Sequence, residues 1–217
     1  MNNLKQSLIT FLLFLSTIGV SNAQKGFYAQ AGFLQISFQE SSSVSIAGNT
    51  IDGATLKLSD PSTGAIQIGY FLNDNISLST VLTIPPKTSI QGEGPLSTLT
   101  IGEATITPLF LLGNYHFDID KFKPFLGAGI VYAIIDTEDN ALTNLEADNA
   151  FGISVRGGID YFFNDKIGIN ASATYSFLKT DAIGSVASAI PVLGGAPATA
   201  TLTLNPIAIQ FGMVYNF

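Results

Sequence analysis

One charged pair stands out among the residues of this chain that could do chemistry. Arg156 and Asp160 lie in a segment, residues 151 to 163, in which bulky apolar side chains alternate with small or polar ones. Successive side chains of a β-strand point to opposite faces, so both charges lie on the face opposite Ile153 and Val155. Four residues of extended strand separate them by about 13 Å, too far for a direct ion pair. We therefore expect each to hydrogen-bond with polar groups on neighbouring strands.

These charges and their candidate partners have two alternative functions. The candidate partners are Asn114, Asn170 and Gln210. The interior of an eight-stranded barrel is largely filled by side chains, so the five residues would form a buried network that closes the lumen; we call them the polar plug. Alternatively, the charges act directly in the passage of a solute. We favour the closing network.

The only histidine, His116, also faces the expected lumen, next to a turn at Asp118. Catalysis by a serine–histidine pair needs a serine within hydrogen-bond reach and a third group that orients the imidazole. Ser77 could face inward at a similar depth, so a lipid-modifying enzyme is one hypothesis. A position at the periplasmic end fits a polar lumen residue better, and we predict that the protein is not an enzyme.

Neither a metal site nor a cofactor is predicted. Cysteine is absent, which excludes a disulfide framework, a thiolate metal site and a cysteine nucleophile. The third long connection carries the carboxylates Asp136, Glu138, Asp139, Glu146 and Asp148. Calcium takes several carboxylate oxygens, but the spacing matches no EF-hand loop. We interpret this segment as a solvated acidic loop.

Eight alternating segments position these residues. They span residues 26 to 38, 62 to 72, 76 to 84, 104 to 117, 123 to 135, 151 to 163, 167 to 179 and 202 to 217. Three of the connections are short and four are long, in strict alternation. Short periplasmic turns and long extracellular loops produce this rhythm in bacterial barrels. The sequence therefore predicts an all-β fold, an eight-stranded antiparallel transmembrane β-barrel.

Composition agrees with a membrane barrel. The chain is 47% hydrophobic but only 12% charged, a low charged fraction for a soluble domain. A barrel accounts for this because its lipid-facing residues occupy every second position. The net charge of −7 argues against nucleic acid as a partner, since proteins that bind nucleic acid have a basic surface.

Both ends of the chain indicate export to the bacterial outer membrane. Residues 1 to 23 have the pattern of a cleaved signal peptide, with Lys5 as the positive region and an apolar run from Leu8 to Val20. That run is shorter than the roughly 20 residues of a spanning helix. The last strand ends on Phe217, an ending typical of outer-membrane proteins, and we expect the barrel-assembly machinery to bind it. Residues 24 to 217 would form one barrel domain in contact with outer-membrane lipids.

The upper lumen is more apolar than the lower lumen. Inward positions there hold Leu34, Val81, Phe110 and Leu112. One interpretation is an apolar funnel above the polar plug that binds a small apolar ligand, and the alternative is simple filling of the barrel by large side chains.

The fourth long connection, Asp181 to Ala200, combines low charge with scattered Ile, Val and Leu. We expect it to pack on the barrel mouth or to meet an apolar ligand.

Several segments match a known sequence pattern. These are Ile-Thr-Pro-Leu at 106 to 109, Tyr-His-Phe at 115 to 117, Phe-Lys-Pro-Phe-Leu-Gly-Ala-Gly-Ile-Val-Tyr at 122 to 132 and Gly-Gly-Ile-Asp-Tyr at 157 to 161. With the aromatic C-terminus, the chain resembles the OmpW family of small outer-membrane barrels. The resemblance implies a hydrophobic channel that admits small apolar molecules and releases them sideways into the bilayer. It also implies that a surface-receptor function is an alternative.

Two main function classes follow from the sequence. The leading hypothesis is a passive channel for small hydrophobic molecules with lateral release into the bilayer. The alternative is a structural, adhesive or receptor barrel without transport. A continuous apolar path from the extracellular mouth to a lateral opening would distinguish the channel from a barrel without transport. We expect the protein to be a monomer.

Overall fold

A computed structural model describes residues 26–97, 99–187 and 194–217. These residues form 15 strands, numbered here in chain order, and one 3₁₀ turn, Gly94–Leu96. Within these ranges no helix is long and apolar enough to cross a membrane. The predicted signal peptide, residues 1 to 23, lies outside the described residues, as does the part of the fourth long connection from 188 to 193.

Eight of the strands close into an antiparallel barrel. They are β1 (Phe27–Ser37), β5 (Ser62–Phe71), β6 (Ile76–Thr83), β8 (Thr100–His116), β9 (Phe122–Asp139), β11 (Ala150–Phe162), β12 (Ile167–Phe177) and β15 (Ile207–Asn216). Each pairs with the next around the ring, and β1 pairs with β15 to close it. The predicted fold class is confirmed.

The eighth barrel strand begins later than the sequence predicts. The alternation predicts a strand over 202 to 217, but β14 (Pro197–Thr203) belongs to a separate sheet and β15 starts at Ile207. Asn205 adopts a positive φ of 34°, and Pro206 has no N–H to donate to a ladder. These two residues end one strand before the next begins.

The long connections are folded into strands. They contribute β2 (Ser41–Ile46), β3 (Asn49–Thr50), β4 (Thr55–Leu58), β7 (Lys87–Glu93), β10 (Leu142–Ala147), β13 (Lys179–Val186) and β14. One sheet has the order β10-β13-β14-β2-β3, while β4 and β7 extend the barrel sheet at β8. With 17 and 18 residues, β8 and β9 exceed the 9 to 11 residues, roughly, that span a membrane. Their upper parts and these added strands form what we call the extracellular extension.

The outer and inner faces of the barrel have opposite chemistry. Along β12, Ile167, Ile169 and Phe177 are exposed, whereas Asn170 and Ser176 are buried. Outward residues near the short turns are aromatic and contact further aromatic rings; they include Tyr70, Tyr115, Tyr161 and Tyr215. This is the girdle expected at a membrane interface, with the lipid-facing band beginning beside it.

An arginine on the lipid face should destabilise the barrel strongly. Ala171 lies on the outward side of β12, between Ile169 and Ala173. Replacing Ala171 with Arg should lower the free energy of unfolding by about 2 to 4 kcal/mol near the bilayer midplane, because the guanidinium would enter hydrocarbon. Urea unfolding in lipid vesicles measures this. The control is Thr201→Arg, on the exposed surface of β14, which should lower the free energy of unfolding by less than about 0.5 kcal/mol. Equal losses of stability in the two variants would contradict the assignment of the faces.

Candidate functional site

An apolar floor closes the lumen at the end with the short turns. Tyr28, Phe162 and Val214 are buried together there, and Phe71 packs against them. These side chains come from β1, β11, β15 and β5, so they meet from different walls of the barrel. This end of the lumen is therefore filled by side chains.

Arg156 crosses the lumen above this floor. It is buried on β11, and its Nη1 donates a hydrogen bond to Gln67 Oε1 on β5 at 2.6 Å. Because β5 lies opposite β11 in the ring, this bond joins opposite walls. Nη2 donates to Ser172 Oγ on β12 at 3.0 Å, and the guanidinium lies 5.0 Å from the centre of the Phe125 ring on β9. One side chain thus links four strands.

Two side-chain amides hold Asp160. Its Oδ1 accepts hydrogen bonds from Asn170 Nδ2 at 2.6 Å and from Gln30 Nε2 at 3.4 Å. Among the described residues, no salt bridge joins Asp160 to Arg156 or to another cation. Both charges instead bind polar groups on other strands, in line with their separation along β11.

Hydrogen bonds extend this network from the polar plug to the floor. Gln67 Nε2 donates to Tyr28 OH at 3.2 Å, and Tyr28 OH lies 3.2 Å from Ser77 Oγ. Ser77 Oγ in turn lies 2.9 Å from His116 Nε2. A continuous chain of side-chain contacts therefore runs from Arg156 to the histidine.

The Ser77–His116 contact lacks the surroundings of a catalytic site. The two side chains are only 0% and 4% exposed. The imidazole centre lies 4.8 and 5.4 Å from the rings of Phe71 and Phe125, and no hydrogen bond of the described residues joins it to a carboxylate. A nucleophile needs access to substrate and an oriented base, so this geometry suits packing within the network.

Of the candidate partners named from the sequence, only Asn170 bonds to the charged pair. Asn114 is buried in the lumen, but its Nδ2 donates to Ser79 Oγ at 3.0 Å and to Ser77 Oγ at 3.3 Å. Gln210 is also buried there, with its Nε2 unpartnered. The stagger of the strands decides which residues share a height in the lumen, and alternation along one strand does not reveal it.

The four apolar residues predicted for the upper lumen pack together. The cluster consists of Leu34, Ile36, Ala65, Val81 and Leu112, with Phe38, Phe110 and Ala208 packed against it. These side chains fill the barrel at this height. Phe38 and Phe110 also pack against a second apolar cluster, in the extracellular extension. These two rings therefore separate the barrel cluster from the extension.

The extracellular extension encloses an apolar cavity of about 110 Å³. Its walls come from β2, β4, β7, β8, β9, β10, β13 and β14, so all four long connections contribute. Among the described residues, every lining residue is Val, Ile, Leu or Ala, except Thr137, Thr180 and Thr199. The four predicted ligand residues do not line this cavity, and Phe110 is the one that packs towards it.

Local sequence patterns did not predict this cavity, although the long connections carry a signal for it. Apolar residues recur two positions apart at two places in the first long connection and once just after the fourth: Val44 and Ile46, Leu56 and Leu58, and Leu202 and Leu204. Such a spacing indicates a strand with one buried face. Each run is short, so only its pairing with a distant run makes a sheet.

Charged groups of the extension lie on its outer surface. Lys87 Nζ donates to Glu138 Oε1 at 2.6 Å, and this hydrogen bond, followed by the charge of the same carboxylate, raises the pKa of Lys87. Asp139 accepts hydrogen bonds at 2.9 Å from the backbone N–H groups of Asn144 and Leu145 on β10. In the described part of the chain, no three His, Cys, Asp or Glu side chains group as a metal site.

One part of the barrel wall is not fully hydrogen-bonded. Only the first four residues of β6 pair with β8. Pairing with β8 resumes at Lys87 of β7, opposite Thr105. We call the interrupted stretch, residues 80 to 86 opposite 106 to 111, the lateral gap.

Prolines account for the lateral gap. Pro85 and Pro86 on one side and Pro108 on the other have no N–H to donate. The N–H of Ile106 donates across the gap to Pro86 O at 3.3 Å. Because backbone N–H groups alternate sides along a strand, residue 108 points the same way as residue 106. The N–H that Pro108 lacks would therefore lie on the gap side. Pro108 still pairs with β9, opposite Ala133. The interruption is therefore confined to one side of β8.

The lateral gap brings the lumen and the lipid face together. Leu82 and Leu109 beside it face outward and are 41% and 42% exposed, whereas Val81 and Phe110 face inward. Ile106, at the extracellular end of the gap, lines the apolar cavity. Apolar side chains therefore run from the cavity to the lipid face at this place in the wall.

Comparison with known proteins identifies the family. The sequence model of the OmpW family matches residues 24–217. The chain belongs to the OmpW family. Dibenzothiophene metabolism operon protein PahQ of Pseudomonas aeruginosa is 29% identical over 188 residues, 86% of each chain. Outer membrane protein W of Vibrio cholerae is 31% identical over 165 residues, 70% of this chain and 72% of that protein.

A solved structure has the same fold. The crystal structure of the outer membrane protein OprG from Pseudomonas aeruginosa matches with a TM-score of 0.82 and 20% identity, over 91% of this chain and 98% of that chain. The predicted resemblance to OmpW, the barrel fold and the outer-membrane location are confirmed. This OmpW-family protein is embedded in the lipid bilayer through its outward apolar band.

Proposed function

We propose that this OmpW-family protein is a passive channel for small hydrophobic molecules, which enter the apolar cavity from outside and leave sideways into the bilayer. The observation that carries the proposal is the position of the cavity at the lateral gap, where Ile106 belongs to both. An apolar solute gains free energy when it leaves water for an apolar cavity or for lipid. Movement between these two places needs no energy source.

The polar plug makes lateral exit easier than passage to the periplasm. Below Phe110 lie the fully buried Leu112 and then the hydrogen-bonded Arg156 and Asp160. A solute that separated these buried charges from their partners would face a cost of several kcal/mol. At the lateral gap, fewer backbone hydrogen bonds hold the wall closed.

Phe38 and Phe110 are the proposed gate between the cavity and the lateral gap. Both rings are partly buried and pack against the apolar cluster on either side. Rotation of two side chains is a smaller change than separation of paired strands. Passage would therefore be controlled by these rings.

The name of one relative supports an apolar solute. PahQ is named for a dibenzothiophene metabolism operon, and dibenzothiophene is an uncharged aromatic compound. For this chain the name supports the class of solute only.

A structural, adhesive or receptor barrel is the second candidate function. The bond from Arg156 to Gln67 across the lumen favours it, because a barrel braced between opposite walls would hold the extracellular extension rigidly at the surface. A protein with this function would hold a ligand in its cavity without passing that ligand to lipid. Transport assays separate this function from the first.

We propose that the C-terminal aromatic ring takes part in barrel assembly, as the sequence predicts. Phe217 is 71% exposed, and its N–H donates to Phe27 O at 3.0 Å. Its ring packs beside Tyr215, at 5.0 Å between centroids, on the lipid-facing side. We infer that the barrel-assembly machinery binds this ring after the signal peptide, residues 1 to 23, is cleaved.

Restoring a hydrogen-bond donor at the lateral gap should slow transport. Pro108→Val supplies an N–H on the gap side, and one further ladder hydrogen bond is worth about 0.5 to 1.5 kcal/mol. If wall opening limits exit, uptake of a hydrocarbon should fall about 2-fold to 10-fold. The measurement is the initial rate of uptake by a deletion strain that expresses each variant.

Pro124→Val is the matched control for this experiment. Pro124 lies on β9 near a short turn, where the neighbouring strands are paired on both sides. Its replacement should leave the uptake rate unchanged. A Pro108→Val protein whose new N–H is protected from hydrogen exchange, yet which transports at the wild-type rate, would exclude the lateral gap as the exit.

A further inference from the structure

The walls of the apolar cavity offer a ligand almost no hydrogen bonding. Apart from three threonines, all lining side chains in the part of the chain that the structure describes are aliphatic. Thr180 Oγ1 donates to Asp148 O at 2.6 Å, and the Thr137 hydroxyl donates to Leu145 O. Thr199 is solvent-exposed on β14. The hydroxyl protons of Thr180 and Thr137 are therefore already used within the protein.

The volume of the cavity limits the size of the ligand. An apolar protein cavity of about 150 Å³ binds benzene, and this one measures about 110 Å³. It holds one small ring or an aliphatic chain of similar volume. Three fused rings would require the packed walls to move apart, and packed interiors resist such changes.

We propose that the cavity selects unsubstituted hydrocarbons of about one ring and discriminates against their hydroxylated derivatives and against fused tricyclic compounds. This inference rests on the proposed function, since it treats the cavity as the loading site for the solute. A hydroxyl group would leave its water hydrogen bonds without finding a donor in the walls. Hydrophobic pockets reject an added hydroxyl by up to about 100-fold.

Fluorine NMR of the protein in lipid nanodiscs tests the selectivity. The probes are fluorobenzene, 4-fluorophenol and 2-fluorodibenzothiophene, and empty nanodiscs give the correction for partition into lipid. Fluorobenzene should bind to the wild type, with 4-fluorophenol about 10-fold to 100-fold weaker and the tricyclic compound not bound in the cavity. Equal affinity for fluorobenzene and 4-fluorophenol, or tighter binding of the tricyclic compound, would overturn the proposal.

Two neighbouring residues of β14 supply matched variants. Ala200 lines the cavity, whereas Thr201 points outward and donates to Asp181 Oδ1 at 2.7 Å. Ala200→Leu should abolish binding of fluorobenzene, and Thr201→Leu should preserve it. Leu202→Ala, which enlarges the cavity, should allow the tricyclic probe to bind. If Ala200→Leu does not fold, the comparison of the three probes on the wild type still tests the selectivity of the cavity.

Uptake by cells separates this inference from the proposed function. Selective binding without any uptake would refute the channel and leave the selectivity of the cavity intact. Uptake of tricyclic and single-ring compounds at equal rates, with unselective binding, would refute the selectivity and leave the channel intact.

Discussion

Replacing Arg156 with alanine should lower the free energy of unfolding by about 3 to 5 kcal/mol, the range found when one partner of a buried charged pair is removed. The side chain is 4% exposed and bonds to Gln67 and Ser172 on two other strands. Its loss leaves those two acceptors without their donor. Because the chain has no tryptophan, circular dichroism during urea unfolding in detergent is the suitable measurement.

A surface cation provides the control for Arg156. Lys123 Nζ, at the start of β9, lies 3.0 Å from Asp118 Oδ1, and this ion pair is partly exposed to solvent. Exposed ion pairs contribute about 0 to 1 kcal/mol. Lys123→Ala should therefore change stability little. Gln67→Ala should cost an intermediate amount, about 1 to 3 kcal/mol, because it leaves one charged donor unpaired. If Arg156→Ala and Lys123→Ala cost the same, the bond across the lumen does not brace the barrel.

Replacing Phe110 with aspartate should reduce hydrocarbon uptake at least about 100-fold. Phe110 packs against both apolar clusters, so a carboxylate there would stand in the proposed path. Moving an apolar solute past it means taking water from a charge, at a cost of several kcal/mol, and each 1.4 kcal/mol, roughly, is a factor of ten in rate. The measurement is uptake by a deletion strain complemented with each variant.

Phe110→Leu is the control, since it keeps the position apolar and should retain most of the uptake. Folding of each variant is checked by the shift in gel mobility on heating. Adding Leu112→Asp should block the path further, but Leu112 is fully buried, so the single variant is the cleaner test. A folded Phe110→Asp protein that restores wild-type uptake would favour the structural or adhesive function.

The barrel could be predicted from the sequence because lipid and lumen impose opposite chemistry on successive residues. In β12 the exposed Ile169 and Phe177 and the buried Asn170 and Ser176 follow this alternation directly. The short turns and the long connections gave the number and direction of the strands. The inward direction of Arg156 and Asp160 follows from the same local rule.

The contacts of these charges could not be predicted, because they depend on strands far apart in the chain. Gln67 is 89 residues before Arg156 and Gln30 is 130 residues before Asp160. Their heights in the lumen are set by the stagger of all the barrel strands, to which each pairing register contributes.

The extracellular extension was decided only by the tertiary structure. The pairing of β2 with β14 joins residues 41 to 46 with residues 198 to 203, and neither segment alone can bury its apolar face. The cavity exists because four such connections close around one space. The lateral gap likewise depends on two chain segments, since Pro108 and Pro86 interrupt the wall only where β6, β7 and β8 meet.

The sequence by itself determined which side of each strand faces lipid, since that is a local period of two. Tertiary structure alone decided where the wall is open and what the cavity can hold, because both arise from long-range pairing.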